Sequence, residues 1–255
     1  MKTKLKLLCT VTVAMLLTAC GGGGGDSAPA SAPIAKAEGV YSGTTSTGLE
    51  FSLLVLENDQ FYSLLGTTSG GVFFVSSLVE GQGNSNNGSF SASGVNQYFG
   101  DGQVIPGSIT STYSPRVNIA GTFSQPPFGN STFNGTAPAN TTYVYDTPAN
   151  LGSISGAWSG GILSGEGVNF SITTGGSISG TSSLGCSLTG SVTPRASGKN
   201  VFNTSVTFGG APCALPGQTS QGIALTFLLA NGQRQLLAAI TNSNRTVGTA
   251  IFAAR

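Results

Sequence analysis

Gly39-Val40-Tyr41-Ser42-Gly43 is echoed by Gly156-Ala157-Trp158-Ser159-Gly160, an offset of 117 from Gly39 to Gly156. A second pair follows in the same order. Leu49-Glu50-Phe51-Ser52-Leu53 is matched by Val168-Asn169-Phe170-Ser171-Ile172, an offset of 119 from Phe51 to Phe170, so a two-residue gap is expected between the pairs. Each second member leads into a turn, Glu57-Asn58-Asp59 and Thr174-Gly175-Gly176. Each turn leads into another strand-like run, Phe61 to Leu65 and Ser177 to Gly180. Ordered self-similarity at one spacing is the signature of a repeated structural unit. It predicts two lobes on one plan, residues 38–147 and 148–255, with Pro148-Ala149-Asn150 at the boundary.

Short apolar runs alternate with Gly, Ser, Thr and Asn in both lobes, and no long window repeats apolar residues with a helical period. The expected class is all-β, with about eight antiparallel strands per lobe. Eight such strands can close into a barrel whose interior is filled by side chains or holds one small ligand. A two-sheet sandwich is the alternative. Asn231-Gly232 lies between two apolar runs, where both turn positions need positive φ, and predicts a tight hairpin. Pro126-Pro127 ends a strand, because proline cannot donate to a ladder.

The chain begins differently. Lys2, Lys4 and Lys6 precede an apolar run from Leu7 to Leu17, too short to span a bilayer and closed by small residues. Residues 1–19 read as a signal peptide. Residues 20–37, rich in Gly, Ser, Ala and Pro, read as a flexible tether. From Cys20 onward seven Lys and Arg stand against nine Asp and Glu, a net charge of −2. There is no basic patch to neutralise phosphates, so nucleic acid is not an expected partner.

Charged residues are only 7% of the chain and histidine is absent. That removes the commonest general base and the usual triads. The carboxylates Glu50, Glu57, Glu80, Asp101 and Glu166 are scattered, which argues against a paired-acid hydrolase. No phosphate-cradling glycine motif precedes a helix. The expectation is a protein that is not an enzyme and has no cofactor or metal. Leu17-Thr18-Ala19-Cys20 is similar to a lipoprotein lipobox, which implies that Cys20 carries lipid and that Cys9 leaves with the signal peptide, so Cys186 and Cys213 remain. An even pair in an exported chain reads as a disulfide closing 27 residues. Metal binding is the alternative, and it needs more ligands than two thiolates.

Leu17-Thr18-Ala19-Cys20 resembles the lipobox of bacterial lipoprotein precursors. The resemblance implies that Cys20 is lipidated, with palmitate-type acyl chains, and becomes the first mature residue. Gly21 in place of Asp implies the outer membrane, at its surface or periplasmic face. Gly39-Val40-Tyr41 and Gly156-Ala157-Trp158 resemble the Gly-Xaa-Trp of the first strand in lipocalin-like barrels. There the aromatic ring closes one end and an arginine packs on it. Tyr41 and Trp158 are thus candidate barrel-closing aromatics, with Arg245 the candidate partner of Trp158. The alternative is that both rings are ordinary core residues.

The whole plan resembles the bilobed surface lipoproteins of Gram-negative bacteria, such as the transferrin-binding protein B and factor-H-binding families. That implies a monomeric, lipid-anchored, non-catalytic binding module with a protein partner. The loops Asn84–Gly88, Phe99–Gly107 and Pro126–Asn130 are the candidate contact surfaces. A lipocalin-like small-molecule carrier and an inhibitor of a periplasmic or host hydrolase are the alternatives.

Overall fold

The computed structural model describes residues 35–69, 72–138, 143–229 and 231–255. Residues 1–19, Cys20 and the tether as far as residue 34 lie outside it. The first nine strands are β1 (Gly39–Thr45), β2 (Glu50–Val55), β3 (Gln60–Ser69), β4 (Val72–Gln82), β5 (Asn84–Asn86), β6 (Ser89–Phe99), β7 (Val104–Ser114), β8 (Asn118–Gln125) and β9 (Gly129–Thr136). They pair antiparallel in the order β4-β3-β2-β1-β9-β8-β7-β6, and a β4–β6 pairing closes the barrel. The three-residue β5 is an appendage on β6. A single helical turn, α1 (Leu151–Ile154), capped by the Asn150 side chain, then introduces the second barrel.

That barrel is made of β10 (Gly156–Ile162), β11 (Gly167–Ile172), β12 (Ser177–Ser182), β13 (Ser187–Pro194), β14 (Phe202–Phe208), β15 (Thr219–Leu228), β16 (Arg234–Asn242) and β17 (Gly248–Ala254). Each strand pairs with the next and β17 closes on β10. The fold is therefore all-β, two closed eight-stranded antiparallel barrels. Asn231-Gly232 lies in the β15–β16 connection, but not as the two central residues of a tight turn: Gly232 N–H donates to Leu229 O, so Gly232, at φ +83°, closes the turn and the connection is longer than expected.

The repeated pentapeptide has a physical explanation. Its first glycine sits at positive φ in both copies, +146° at Gly39 and +128° at Gly156. Its second glycine lies where the closing strand crosses. A Cβ on Gly43 would come within 1.9 Å of the Asn134 carbonyl, and one on Gly160 within 2.2 Å of the Phe252 carbonyl. Side chains are excluded at both points, and the aromatic between them turns inward. The second echo is out of register, however. Gly39 pairs with Val55 and Gly156 with Ile172. Val168, not Phe170, therefore stands where Phe51 does, and the offset stays at 117 with no gap. The turns agree: Gly48 N–H donates to Thr45 O and Gly165 N–H to Ile162 O, again 117 apart. A two-residue slip keeps the same face of a strand inward, which is why the mismatched alignment still looked self-consistent.

Each barrel has its own core. Tyr41, Phe51, Leu53, Val55, Phe61 and Val79 are among the buried residues of the first. Trp158, Val168, Ile172, Phe202, Leu236 and Ile240 are among those of the second. A third core lies between the barrels. Leu54 on β2, Leu56 just past its end, and Tyr62 and Leu64 on the outward face of β3 meet Ile223, Leu237, Ala239 and Ala250 on outward faces of β15, β16 and β17. These strands are covered on both faces, so their apolar residues run continuously rather than alternating. Leu53-Leu54-Val55-Leu56 and Leu236-Leu237-Ala238-Ala239-Ile240 are the two clearest such runs. The barrels form one compact unit.

Candidate functional site

The interiors come first, because a carrier would need space there. The void inside the first barrel, among Phe51, Leu53, Phe61 and Phe123, is about 50 Å³. That inside the second, among Val168, Ile178, Val206 and Leu236, is about 30 Å³. Ligand cavities run to roughly 300–1,000 Å³. Both voids are far smaller, so neither lumen as it stands has room for a ligand of that size, which disfavours the lipocalin-like carrier.

Tyr41 and Trp158 are both buried. Each reaches back to the carbonyl four residues earlier. The Tyr41 hydroxyl donates to Ala37 O at 2.9 Å and Trp158 Nε1 to Ile154 O at 2.8 Å. The same local device thus opens both barrels. The arginine over Trp158 is Arg255, its guanidinium 4.4 Å from the ring centroid. It also donates to the carbonyls of Ser155 and Ser153. The expected Arg245 is engaged elsewhere. It sits at φ +56° in the β16–β17 turn, and its side chain leaves the second barrel for the first.

Three groups of polar contacts, built on Arg245, Arg195 and the Arg116–Lys199 pair, clamp the barrels together. Arg245 Nε donates to Glu80 Oε1 at 2.8 Å, and Nη2 to Gly94 O at 2.7 Å, where the β6–β7 pairing shifts register. The Tyr98 hydroxyl lies 2.8 Å from Glu80 Oε1 and 3.0 Å from Arg245 O. Burial pushes the Tyr98 phenol far above its ordinary pKa. Arg195 Nε donates to Glu57 Oε1 at 2.8 Å. Arg116 bridges Glu38 at 2.7 Å and Asp146 at 2.8 Å, while Lys199 reaches Asp146 at 2.8 Å. The hydrogen bond to Asp146 holds the Lys199 ammonium above its usual pKa. The Tyr145 ring lies near both cations, 5.9 Å from Arg116 and 5.2 Å from Lys199. Five carboxylates, Glu38, Glu57, Asp59, Glu80 and Asp146, are held in ion pairs, Asp59 by Lys36, while Glu38 and Asp146 share Arg116 and Lys199.

The candidate loops separate by pole. In an up-and-down barrel successive turns alternate between its two ends. Residues 35–37 lie against the end of the first barrel that carries the β2–β3 turn and β5. The Tyr113 hydroxyl donates to Ala35 O, and Ala37 N–H to Ser85 Oγ at 3.0 Å. Lys36 Nζ lies 2.5 Å from the buried Asp59 carboxylate, which also accepts from Ser85 Oγ at 2.6 Å. Burial alone would raise the Asp59 pKa. The Lys36 and Ser85 hydrogen bonds outweigh it, and the carboxyl falls below its ordinary value. The loop proposed at Asn84–Gly88 is therefore a structural latch. Its Ser85 is buried and holds the incoming chain.

Phe99–Gly107 is mostly strand, and only 100–103 form the turn. A Cβ on Gly100 would meet the Leu163 carbonyl at 2.0 Å, so this turn abuts the β10–β11 turn of the second barrel. Pro126–Asn130 is the exposed member of the three. It lies at the pole opposite the latch, and Phe128 is 71% exposed at its tip. Cys186 and Cys213 are joined by a disulfide linking the β12–β13 and β14–β15 connections.

Among the described residues, two clefts between the barrels stand out. One, about 210 Å³, is apolar and lined by Leu54, Leu64, Ile223, Leu225 and Leu237. The other, about 620 Å³, is polar and has no carboxylate in its lining. Its floor is the outer face of β13 to β16, where Ser191, Ser205, Gln221 and Thr241 form one cross-strand row. Its wall is Gln60 and Tyr62 from β3, and both Arg195 and Arg245 line it. Tyr62 accepts from Gln60 Nε2 at 2.8 Å. Burial, with the nearby Glu80 charge, pushes its phenol up to about 12. The linear sequence held no signal for this cleft, because its parts come from five strands in two lobes.

No protein-family model matches the chain, and no curated protein matches it at a significant level. Among solved structures the chain is similar to a mutant transferrin binding protein B from Haemophilus parasuis, with 9% identity and a TM-score of 0.28. That match covers 84% of this chain and 66% of the other. It is also similar to the isotype 1 transferrin binding protein B of serogroup B Neisseria meningitidis, with 11% identity and a TM-score of 0.26. There the coverage is 81% of this chain and 58% of the other. A third similar structure is a protein of unknown function from Nostoc punctiforme. The identity is 14%, the TM-score 0.26, and the coverage 86% of this chain and 94% of that one. The chain therefore spans less than two thirds of the length of the transferrin binding protein B structures.

Proposed function

We propose that this chain is an outer-membrane lipoprotein, anchored through lipidated Cys20, that acts as a non-catalytic protein-binding module. The observation that carries the reading is the exposed Phe128 turn at the pole opposite the latch, on a barrel whose interior void is only about 50 Å³. A large exposed aromatic on a rigid scaffold is the kind of anchor that protein interfaces use. With the chain docked at residues 35–37, the opposite pole is the one held away from the tether. The lipobox-like stretch supports the anchor and its compartment, and the ion pairs that hold five of the carboxylates favour binding over acid–base chemistry.

The test has two arms. Protease shaving of intact cells should remove the protein if it is displayed at the surface, and an untouched protein would move the proposal to the periplasmic face. A pull-down with the full chain should recover a partner that Phe128→Asp loses. Equal recovery by both would sink the role of this pole. Cys20→Ser should release the protein from membranes, and retention there would refute the lipid anchor.

A further inference from the structure

The geometry points to a second binding site, distinct from the Phe128 pole: we propose that the polar cleft between the barrels binds an acidic oligosaccharide. Its volume of about 620 Å³ lies within the range of small-ligand sites. Its walls are fixed, since each end is an interbarrel ion pair, Arg195–Glu57 and Arg245–Glu80. A site held by such pairs is in place before a ligand arrives, which lowers the ordering cost of binding.

The chemistry of the lining selects the ligand class. The row Ser191, Ser205, Gln221 and Thr241 offers hydroxyls and an amide, one per strand. None of these four side chains has a hydrogen-bond partner among the described residues, so donors and acceptors face the cleft in regular steps. The apolar side chains that reach it, Tyr62 and Ile223, are buried in the interbarrel core. The cleft therefore lacks the exposed aromatic or aliphatic anchor of a protein interface. A polyhydroxylated ligand matches such a floor.

Charge narrows the class further. The two arginines are the charged residues of the lining. Arg195 uses Nε and Nη1, and Arg245 uses Nε and Nη2. Each guanidinium keeps one terminal amino group without a partner among the described residues, and planar guanidinium donors suit carboxylate, sulfate and phosphate oxygens. A sugar chain carrying an anionic substituent meets both features, the polar floor and the guanidinium N–H groups left over by the Glu57 and Glu80 pairs at its ends.

The experiment is calorimetric titration of the purified full chain with three probes: sialyllactose (carboxylate), a heparin-derived tetrasaccharide (sulfate) and neutral lactose. Binding of either acidic probe, roughly tenfold tighter than lactose, is expected, and which one binds names the anionic group. Gln221 is exposed and outside the clamp. Gln221→Glu should weaken binding roughly tenfold, and Gln221→Lys should keep or tighten it, as one charge placed beside an anionic ligand requires. Unchanged urea midpoints would show that both variants fold. Failure of both acidic probes, equal binding of lactose, or indifference to both substitutions would overturn the site. Phe128→Asp should leave this binding intact, so failure here and failure of the protein-binding role are separable.

Discussion

Leu54→Ala tests whether the barrels are joined by a true core. Leu54 belongs to the first barrel and points away from its interior, yet it is only 3% exposed. If the interbarrel layer is packed as an interior, truncation loses the transfer energy of the side chain plus a cavity term, about 2–5 kcal/mol for Leu→Ala. Leu54 already borders the apolar cleft, whose void can take up part of the strain, so the lower end, about 2–3 kcal/mol, is expected. The assay is urea unfolding followed by tryptophan emission. The chain has one tryptophan, Trp158, and it sits in the core of the other barrel. With a urea m-value of about 2–3 kcal/mol/M, the Trp158 transition should move down by about 1 M. The probe thus reports damage done across the interface. A Trp158 midpoint unmoved by Leu54→Ala, with the first barrel melting early by another signal, would refute the shared core. A loss of less than about 0.5 kcal/mol would mean that Leu54 behaves as a surface residue.

Further measurements bear on the ends of the barrels. Replacing Cys186 and Cys213 together by Ala should cost about 3.5 kcal/mol from loop closure over 27 residues, read as a lower thermal midpoint. No change on reducing the wild-type protein would refute that. Asp59 has a depressed folded pKa, so its contribution is present above the unfolded carboxyl value near 4 and is lost as pH falls through the lower folded value. Asp59→Asn should flatten the loss of stability as pH falls below the ordinary carboxyl value near 4, and an unchanged pH profile would show that the Lys36 latch is idle. Arg255→Ala should remove the cation from the Trp158 ring, shift its emission and cost about 0.5–1 kcal/mol. The same variant at Arg245 should leave that emission unmoved and instead loosen the Glu80 clamp.

How much was legible in the chain depended on how local the physics was. Two glycines flanking an inward aromatic mark the start of each barrel, because one needs positive φ and the other must let a neighbouring strand cross. Asn231-Gly232 marks its hairpin for the same kind of reason, although Gly232 closes the turn rather than standing at its centre. Those constraints act within a few residues, so alternation, turn chemistry and the repeat were enough for an all-β chain of two eight-stranded lobes. The disulfide pairing followed from the two cysteines left once the signal-peptide and lipobox readings took Cys9 and Cys20. Register was less secure, since pairing Phe51 with Phe170 and pairing it with Val168 differ by two residues and put the same face inward. The arginine on Trp158 was misread because Arg245 and Arg255 flank the same strand at opposite ends, and only the closed barrel decides which end the ring occupies.

The interface between the barrels belongs wholly to the tertiary structure. Leu53-Leu54-Val55-Leu56 and Leu236-Leu237-Ala238-Ala239-Ile240 carry the trace of it, a strand apolar on both faces, but such a run does not say what covers the second face. Glu80 meets Arg245, and Glu57 meets Arg195, across sequence separations of 165 and 138 residues. The cleft they bracket has no counterpart in any linear motif. Local steric rules write themselves into neighbouring residues and can be read there. Contacts between outward faces depend on how two finished barrels dock, and that is settled only when both have closed.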